Sequence, residues 1–205
     1  SFLLLALPAI SQPLWMRYPA ISPDGSQIVF TWKGDLYRVA ASGGDAVPLT
    51  AHEAHETMPV WSADGKKIAF ASDRYGNFDV FVVASAGGEP QRLTQASSSD
   101  YPTAFSPDGK SVLFQSARQD PHTSVQFPSR MLGEVYSVPA AGGRPVQVMA
   151  ASAELSVYSP SGKIIAFQDQ KGYEDPYRKH HKSSIARDIW IFENGKYRKL
   201  TSFKG

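Results

Sequence analysis

The residues with chemistry to offer are few. His52, Glu53, His55 and Glu56 fall within six consecutive positions, Ala51-His52-Glu53-Ala54-His55-Glu56, and imidazoles beside carboxylates are the usual makings of a zinc site. A metalloprotease helix needs two residues between the Glu and the second His, so that both rings leave one turn toward the metal. Here only Ala54 intervenes. His180-His181 stands between Lys179 and Lys182, whose ammonium groups make it a poor cation site. Neither cluster is read as a metal site, and no cofactor is expected. The chain has no Gly-x-Ser-x-Gly nucleophile elbow and no glycine-rich phosphate loop. No serine stands out from the rest, so no catalytic residue is assigned.

The cations are more suggestive. Arg118, Arg130 and Arg178, with His180 and His181, form a candidate substrate-binding set, since the planar guanidinium fork suits the C-terminal carboxylate of a peptide. The alternative is that they are ordinary solvated loop residues. Over the whole chain, 21 Lys and Arg face 19 Asp and Glu, for a formal charge of +2, which is too balanced for an electrostatic nucleic-acid binder. Only residues 171–205 depart from this, with nine basic against four acidic side chains. The absence of cysteine excludes a disulfide framework and a cysteine-rich zinc site. With 42% hydrophobic and 20% charged residues the chain has the composition of a folded globular protein.

These residues must be positioned by a repeat. Four segments align on a turn: Ile21-Ser22-Pro23-Asp24-Gly25, Trp61-Ser62-Ala63-Asp64-Gly65, Phe105-Ser106-Pro107-Asp108-Gly109 and Tyr158-Ser159-Pro160-Ser161-Gly162, with glycines 40, 44 and 53 residues apart. Pro fixes φ at the second turn position, Asp tolerates the third and Gly takes the left-handed site that follows. Asp24, Asp64 and Asp108 are therefore turn residues and not catalytic acids.

Apolar residues follow each glycine at offsets three and five: Ile28 and Phe30, Ile68 and Phe70, Val112 and Phe114, Ile165 and Phe167. Period two means strand. An acid with an aromatic two places on marks a third strand, at Asp35 and Tyr37, Asp79 and Phe81, Glu134 and Tyr136, Asp188 and Trp190. Gly43-Gly44, Gly87-Gly88, Gly142-Gly143 and Asn194-Gly195 then supply hairpin turns. Six residues after the start of each comes Leu49, Leu93, Val148 or Leu200, three of them followed by Thr50, Thr94 and Thr201. A four-stranded antiparallel unit of roughly 40 to 45 residues has the size of a propeller blade. The expected fold is all-β: four blades at roughly 17–56, 57–99, 100–152 and 153–205, forming part of a larger six- or seven-bladed ring.

Blade topology also assigns faces. From the innermost strand outward, the first and third connections share one face, and the second connection shares the other with the link to the next blade. The spacing from Phe to acid across the second connection is 5, 9, 20 and 21 residues, so nearly all the length variation falls on that second face. Inserts gathered on one side of a repeat scaffold are where recognition is usually placed. Arg118, Arg130, Arg178, His180 and His181 are all expected there.

The Ser-Pro-Asp-Gly turn, the run Ala71-Ser72-Asp73-Arg74 with Asn77-Phe78-Asp79-Val80, and the Gly-Gly to Leu-Thr ending resemble the blades of the TolB and tricorn-protease propellers. The opening Arg17-Tyr18-Pro19-Ala20-Ile21-Ser22-Pro23-Asp24-Gly25 resembles the start of bacterial tricorn-like peptidases, and the resemblance runs from Pro13 onward. It implies a non-catalytic propeller that guides or binds peptide substrates for a serine-protease domain lying beyond residue 205. No motif matches that family's basic gating residues position for position, so none is carried over.

The alternatives are a TolB-like periplasmic module that binds protein partners without enzymatic activity, and a self-contained four-bladed propeller holding a small ligand. Residues 1–11, with the apolar run Phe2 to Ile10 before Ser11, look like the end of a secretory signal, so a periplasmic or secreted protein is expected. The run is too short to span a bilayer. Expected partners are peptides or protein segments and downstream protease domains of the same polypeptide, with no nucleic acid.

Overall fold

The computed structural model describes residues 15–118, 133–169 and 187–202. These residues form sixteen strands in four separate antiparallel sheets, each built from four strands consecutive in sequence. Blade 1 holds β1 (Arg17–Ile21), β2 (Gln27–Trp32), β3 (Asp35–Ala40) and β4 (Val47–Pro48). Blade 2 holds β5 (Glu56–Trp61), β6 (Lys67–Ser72), β7 (Asp79–Ala84) and β8 (Gln91–Arg92). Blade 3 holds β9 (Asp100–Phe105), β10 (Ser111–Ser116), β11 (Glu134–Pro139) and β12 (Val146–Met149). Blade 4 holds β13 (Ala153–Tyr158), β14 (Ile164–Asp169), β15 (Ile189–Glu193) and β16 (Lys196–Lys199). The described residues contain no helix, and so none that could cross a membrane.

The Ser-x-Asp-Gly turn works as its residue types require. The Ser22 hydroxyl donates to Asp24 Oδ1 at 2.6 Å and its Oγ accepts the Gln27 amide at 2.9 Å, while the Gly25 amide donates back to Ser22 O. Gly25 sits at φ +74°, the left-handed region an L side chain avoids. Ser62 with Asp64 and Ser106 with Asp108 repeat the bond at 2.6 and 2.7 Å, and in blade 4 Ser159 and Ser161 replace it at 3.1 Å. These bonds hold Asp24 down to about 2, and they lower Asp64 and Asp108 as well.

In blades 1, 2 and 4 a threonine after the fourth strand closes the blade from outside. The amides of Leu36, Val80 and Ile189 each donate to the hydroxyl oxygen of Thr50, Thr94 and Thr201, at 2.9 Å in all three blades. The acid that opens the third strand grips the fourth. Asp79 accepts from Arg92 at 2.6 Å, Glu134 from Gln147 at 2.6 Å, and Asp188 pairs with Lys199 at 2.6 Å.

The core lies between the sheets. Period-two alternation gives every strand one face for each neighbouring blade. Ile68, Phe70, Phe81 and Val83 of blade 2 pack on Val29, Leu36 and Leu49 of blade 1. Ala69, Val80, Val82 and Leu93 look the other way, onto Phe105, Val112, Phe114, Tyr136 and Val138 of blade 3. Leu113, Val135 and Met149 continue onto Ile165 and Phe167 of blade 4. The first strands β1, β5, β9 and β13 touch in succession, so they line the axis and the fourth strands form the perimeter.

Candidate functional site

On the face that carries the second connections, the β6–β7 loop, residues 73–78, is fixed at both ends. Asp73 Oδ1 accepts the His55 amide at 2.7 Å, and the Gly76 amide closes a turn on Asp73 O. Asn77 Nδ2 donates to three carbonyls, Phe78 O at 3.3 Å and Ala96 O and Ser98 O at 3.1 Å each. The loop is thereby stitched to both blade links, 51–55 and 95–99. It holds Phe78 between two other rings: the exposed His55 meets it edge-on at 6.2 Å, and Tyr101 of blade 3 lies 5.3 Å away. Tyr75, 63% exposed, stacks on Phe81 and carries the Arg92 guanidinium 4.0 Å above its ring. The face thus offers rigidly mounted, partly exposed aromatic rings.

Beneath it, each of the first two blade joints encloses an ion pair. Arg74 pairs with Glu56, and Arg118 pairs with Asp100, both carboxylates being wholly buried. Arg118 also lies over the rings of Phe114 at 4.8 Å and Tyr136 at 5.1 Å. Burial pushes the pKa of Glu56, Asp79 and Asp100 up, against the arginines that favour their charged forms. Thr50 and Thr94 also favour the charged Glu56 and Asp100 from the preceding blade, although Glu56 Oε2 and Asp100 Oδ1 are buried without a hydrogen bond of full geometry. Between blades 2 and 3 a cleft of about 550 Å³ is lined by Arg92, Arg118, Gln95 and the Gly142-Gly143 turn.

The axis side shows a repeated backbone distortion. Each first strand carries a bulge, and Tyr18, Met58 and Leu155 take the left-handed φ of +52° at the same position of blades 1, 2 and 4. Blade 3 has Pro102 there, whose ring forbids positive φ, and its bulge falls between the partners of Leu113 and Phe114 instead. Met58 is only half-buried although both faces of its blade are covered, so it is open toward the axis. Strained non-glycine residues of this kind cluster at binding and switch regions.

Of the cations singled out in the sequence, the structure places Arg118 in the blade 2–3 joint, already paired, and at the cleft. Arg130, Arg178, His180 and His181 lie outside the described residues. His52 and His55 do not converge: His52 Nδ1 accepts the Ala54 amide while His55 stacks on Phe78. Among the described residues no three His, Cys, Asp or Glu side chains gather as metal ligands. Sequence reasoning missed Glu56, Asp100 and Arg74. Their signal was a recurrence: an acid six residues before the turn serine, and Ser-x-Arg at Ser72-Asp73-Arg74 and Ser116-Ala117-Arg118.

Residues 13–205 match the family of the tricorn protease N-terminal beta propeller domain. The chain belongs to this family. Among solved structures, the tricorn protease superposes on 94% of the chain with a TM-score of 0.72 at 20% identity. A protein assigned as TolB from Agrobacterium tumefaciens covers 91% at TM-score 0.70, and TolB from Acinetobacter baumannii covers 92% at 0.65, both at 21% identity. These likenesses show a shared propeller fold. The chain spans 19%, 65% and 44% of those three structures respectively. By sequence, no curated protein matches the chain.

Proposed function

We propose that this propeller arc is the peptide-binding part of an exported, tricorn-like peptidase, taking unstructured segments on the face of the second connections and presenting them to a protease domain elsewhere in a longer polypeptide. The observation that carries it is the row His55, Phe78 and Tyr101, mounted on the loop that Asn77 ties to three backbone carbonyls. Pre-organised aromatic rings bind side chains with little ordering cost. Arg118, with Arg130, Arg178, His180 and His181, would draw the peptide's carboxylate to the same face. For Arg118 this role competes with its pairing to Asp100. Export rests on the apolar run from Phe2 to Ile10.

A second reading is a TolB-like module that binds a protein partner and cleaves nothing, favoured by the TM-score of 0.70 to a TolB structure of which the chain spans 65%. The two separate in one assay. A longer polypeptide containing this chain is incubated with unstructured peptides, and this chain alone serves as control. The peptidase reading expects cleavage by the first and binding without cleavage by the second. Binding without cleavage by both gives the TolB-like reading.

A further inference from the structure

Every blade ends in a fourth strand whose outer side has no neighbour in its sheet. Such an edge offers free amides and carbonyls to any extended chain, so natural sheets blunt it. In an antiparallel pair, residues alternate between turning their N–H and C=O toward the partner strand and away from it. In blade 4 the two-residue turn Asn194-Gly195, at φ +50° and +73°, makes Glu193 and Lys196 a hydrogen-bonded pair. The Leu200 amide donates to Ile189 O at 2.8 Å, so the alternation holds to the end of β16. The residues whose backbone faces outward are therefore Tyr197 and Lys199, three and one positions before Leu200.

Blades 1 to 3 each place a proline at one of these two positions. Pro48 stands one before Leu49, and Pro90 and Pro145 stand three before Leu93 and Val148. Proline has no N–H to donate, and sheets tolerate it where that loss faces solvent. Blade 4 has Tyr and Lys there, so both outward amides remain. β16 also pairs with β15 at four successive positions without a shift, whereas β4 and β8 pair at two and the register of β12 slips. It is a regular edge, exposed along its whole length. Its side chains decide what can approach. Three of its four residues are cationic: Lys196, Arg198 and Lys199. Lys199 is held by Asp188 at 2.6 Å, while Lys196 and Arg198, on the other face of the sheet, have no ion pair among the described residues.

We infer that the outer edge of β16 is an interaction surface that takes an extended, acidic segment of a partner protein as an added strand of blade 4. Backbone pairing at Tyr197 and Lys199 supplies the affinity, as in other cases of strand addition, and the cations supply the selectivity. Opposite charges facing each other across two strands are stabilising and like charges are not. The cations therefore keep the β16 edge of a second copy away and admit a strand carrying Asp or Glu. This edge lies on the perimeter, apart from the row of His55, Phe78 and Tyr101, and binding at one does not require the other.

The test titrates the whole chain against a fluorescent, capped peptide of alternating Glu and Val. Its controls are a Lys-Val peptide and a Glu-Pro peptide, which has the same charge but cannot form a strand ladder. The Glu-Val peptide is expected to bind saturably, about tenfold or more tighter than either control, and to slow hydrogen exchange at the Tyr197 and Lys199 amides. Lys199→Pro copies Pro48 of blade 1 and deletes one outward N–H, while Lys199→Ala loses the same charge and keeps it. Binding to Lys199→Pro is expected to be about fivefold or more weaker than to Lys199→Ala. Both variants lose the Asp188 pair, so comparing them with each other removes its effect on folding. No binding of the Glu-Val peptide, equal binding of the Glu-Pro peptide, equal binding to the two variants, or protection away from β16 would each overturn the inference. Self-association of the chain that Lys199→Pro abolishes and Lys199→Ala keeps would also overturn it, by making a second copy the occupant.

Discussion

Arg118 reaches back across the first hairpin of blade 3 to pair with Asp100, whose carboxylate is wholly buried, while its guanidinium lies over the rings of Phe114 and Tyr136. A residue that looks in sequence like a loop cation is therefore a strut between the axis strand and the blade joint. Its charge is matched before any ligand arrives.

Truncating it leaves Asp100 buried and unpaired, the situation in which breaking a buried pair costs roughly 3 to 5 kcal/mol. Arg118→Ala is expected to lower stability to urea by an amount of that order, and Asp100→Asn in the same chain is expected to restore part of it. A loss below about 1 kcal/mol in the single variant would mean that Asp100 finds another donor or water.

The turn acids give a pH signature. Ser22 and Ser26 hold Asp24 down to about 2 from 3.8, so its contribution is complete above 3.8 and is lost as pH falls toward 2. Ser22→Ala removes the largest cause. The Asp24 titration followed by NMR should move up toward 3.8, and the stability difference between the two proteins should shrink as pH falls through this window. The buried Glu56, Asp79 and Asp100 act in the opposite sense. Their raised pKa values make folding less favourable as pH rises above the ordinary carboxylate range, because the unfolded chain ionises first.

Uncovered blade faces predict association. Leu155, Val157, Ile189 and Leu200 on blade 4, and Trp15, Met16, Tyr18 and Ile21 on blade 1, are exposed large apolar side chains, and burying such surface yields about 25 cal/mol per Å². The isolated chain should sediment as concentration-dependent oligomers. A single monomeric species across the micromolar range would contradict this.

The blades were legible in the sequence because their signals are local. Period-two apolar residues, the Ser-Pro-Asp-Gly turn and the Leu-Thr ending each lie within a few positions, and the structure puts all three to the expected use in four sheets. The joints were not legible. Arg74 and Glu56 are 18 residues apart, as are Arg118 and Asp100, and nothing local marks either acid as buried. The left-handed φ of Tyr18, Met58 and Leu155 was hidden for a similar reason, since tertiary packing imposes it on residues with no preference for it. The aromatic row joins residues 55, 78 and 101 through three different segments, so only folding brings it together.

The most direct test of the account is the binding of a fluorescent, unstructured peptide library to this chain, comparing the natural sequence with the Phe78→Ala/Tyr101→Ala variant. The account predicts saturable binding that favours peptides with bulky apolar side chains and weakens at least about tenfold in the variant, as loss of two aromatic anchors implies, with melting behaviour little changed. Equal binding by both proteins, or no binding by the natural chain, would contradict it.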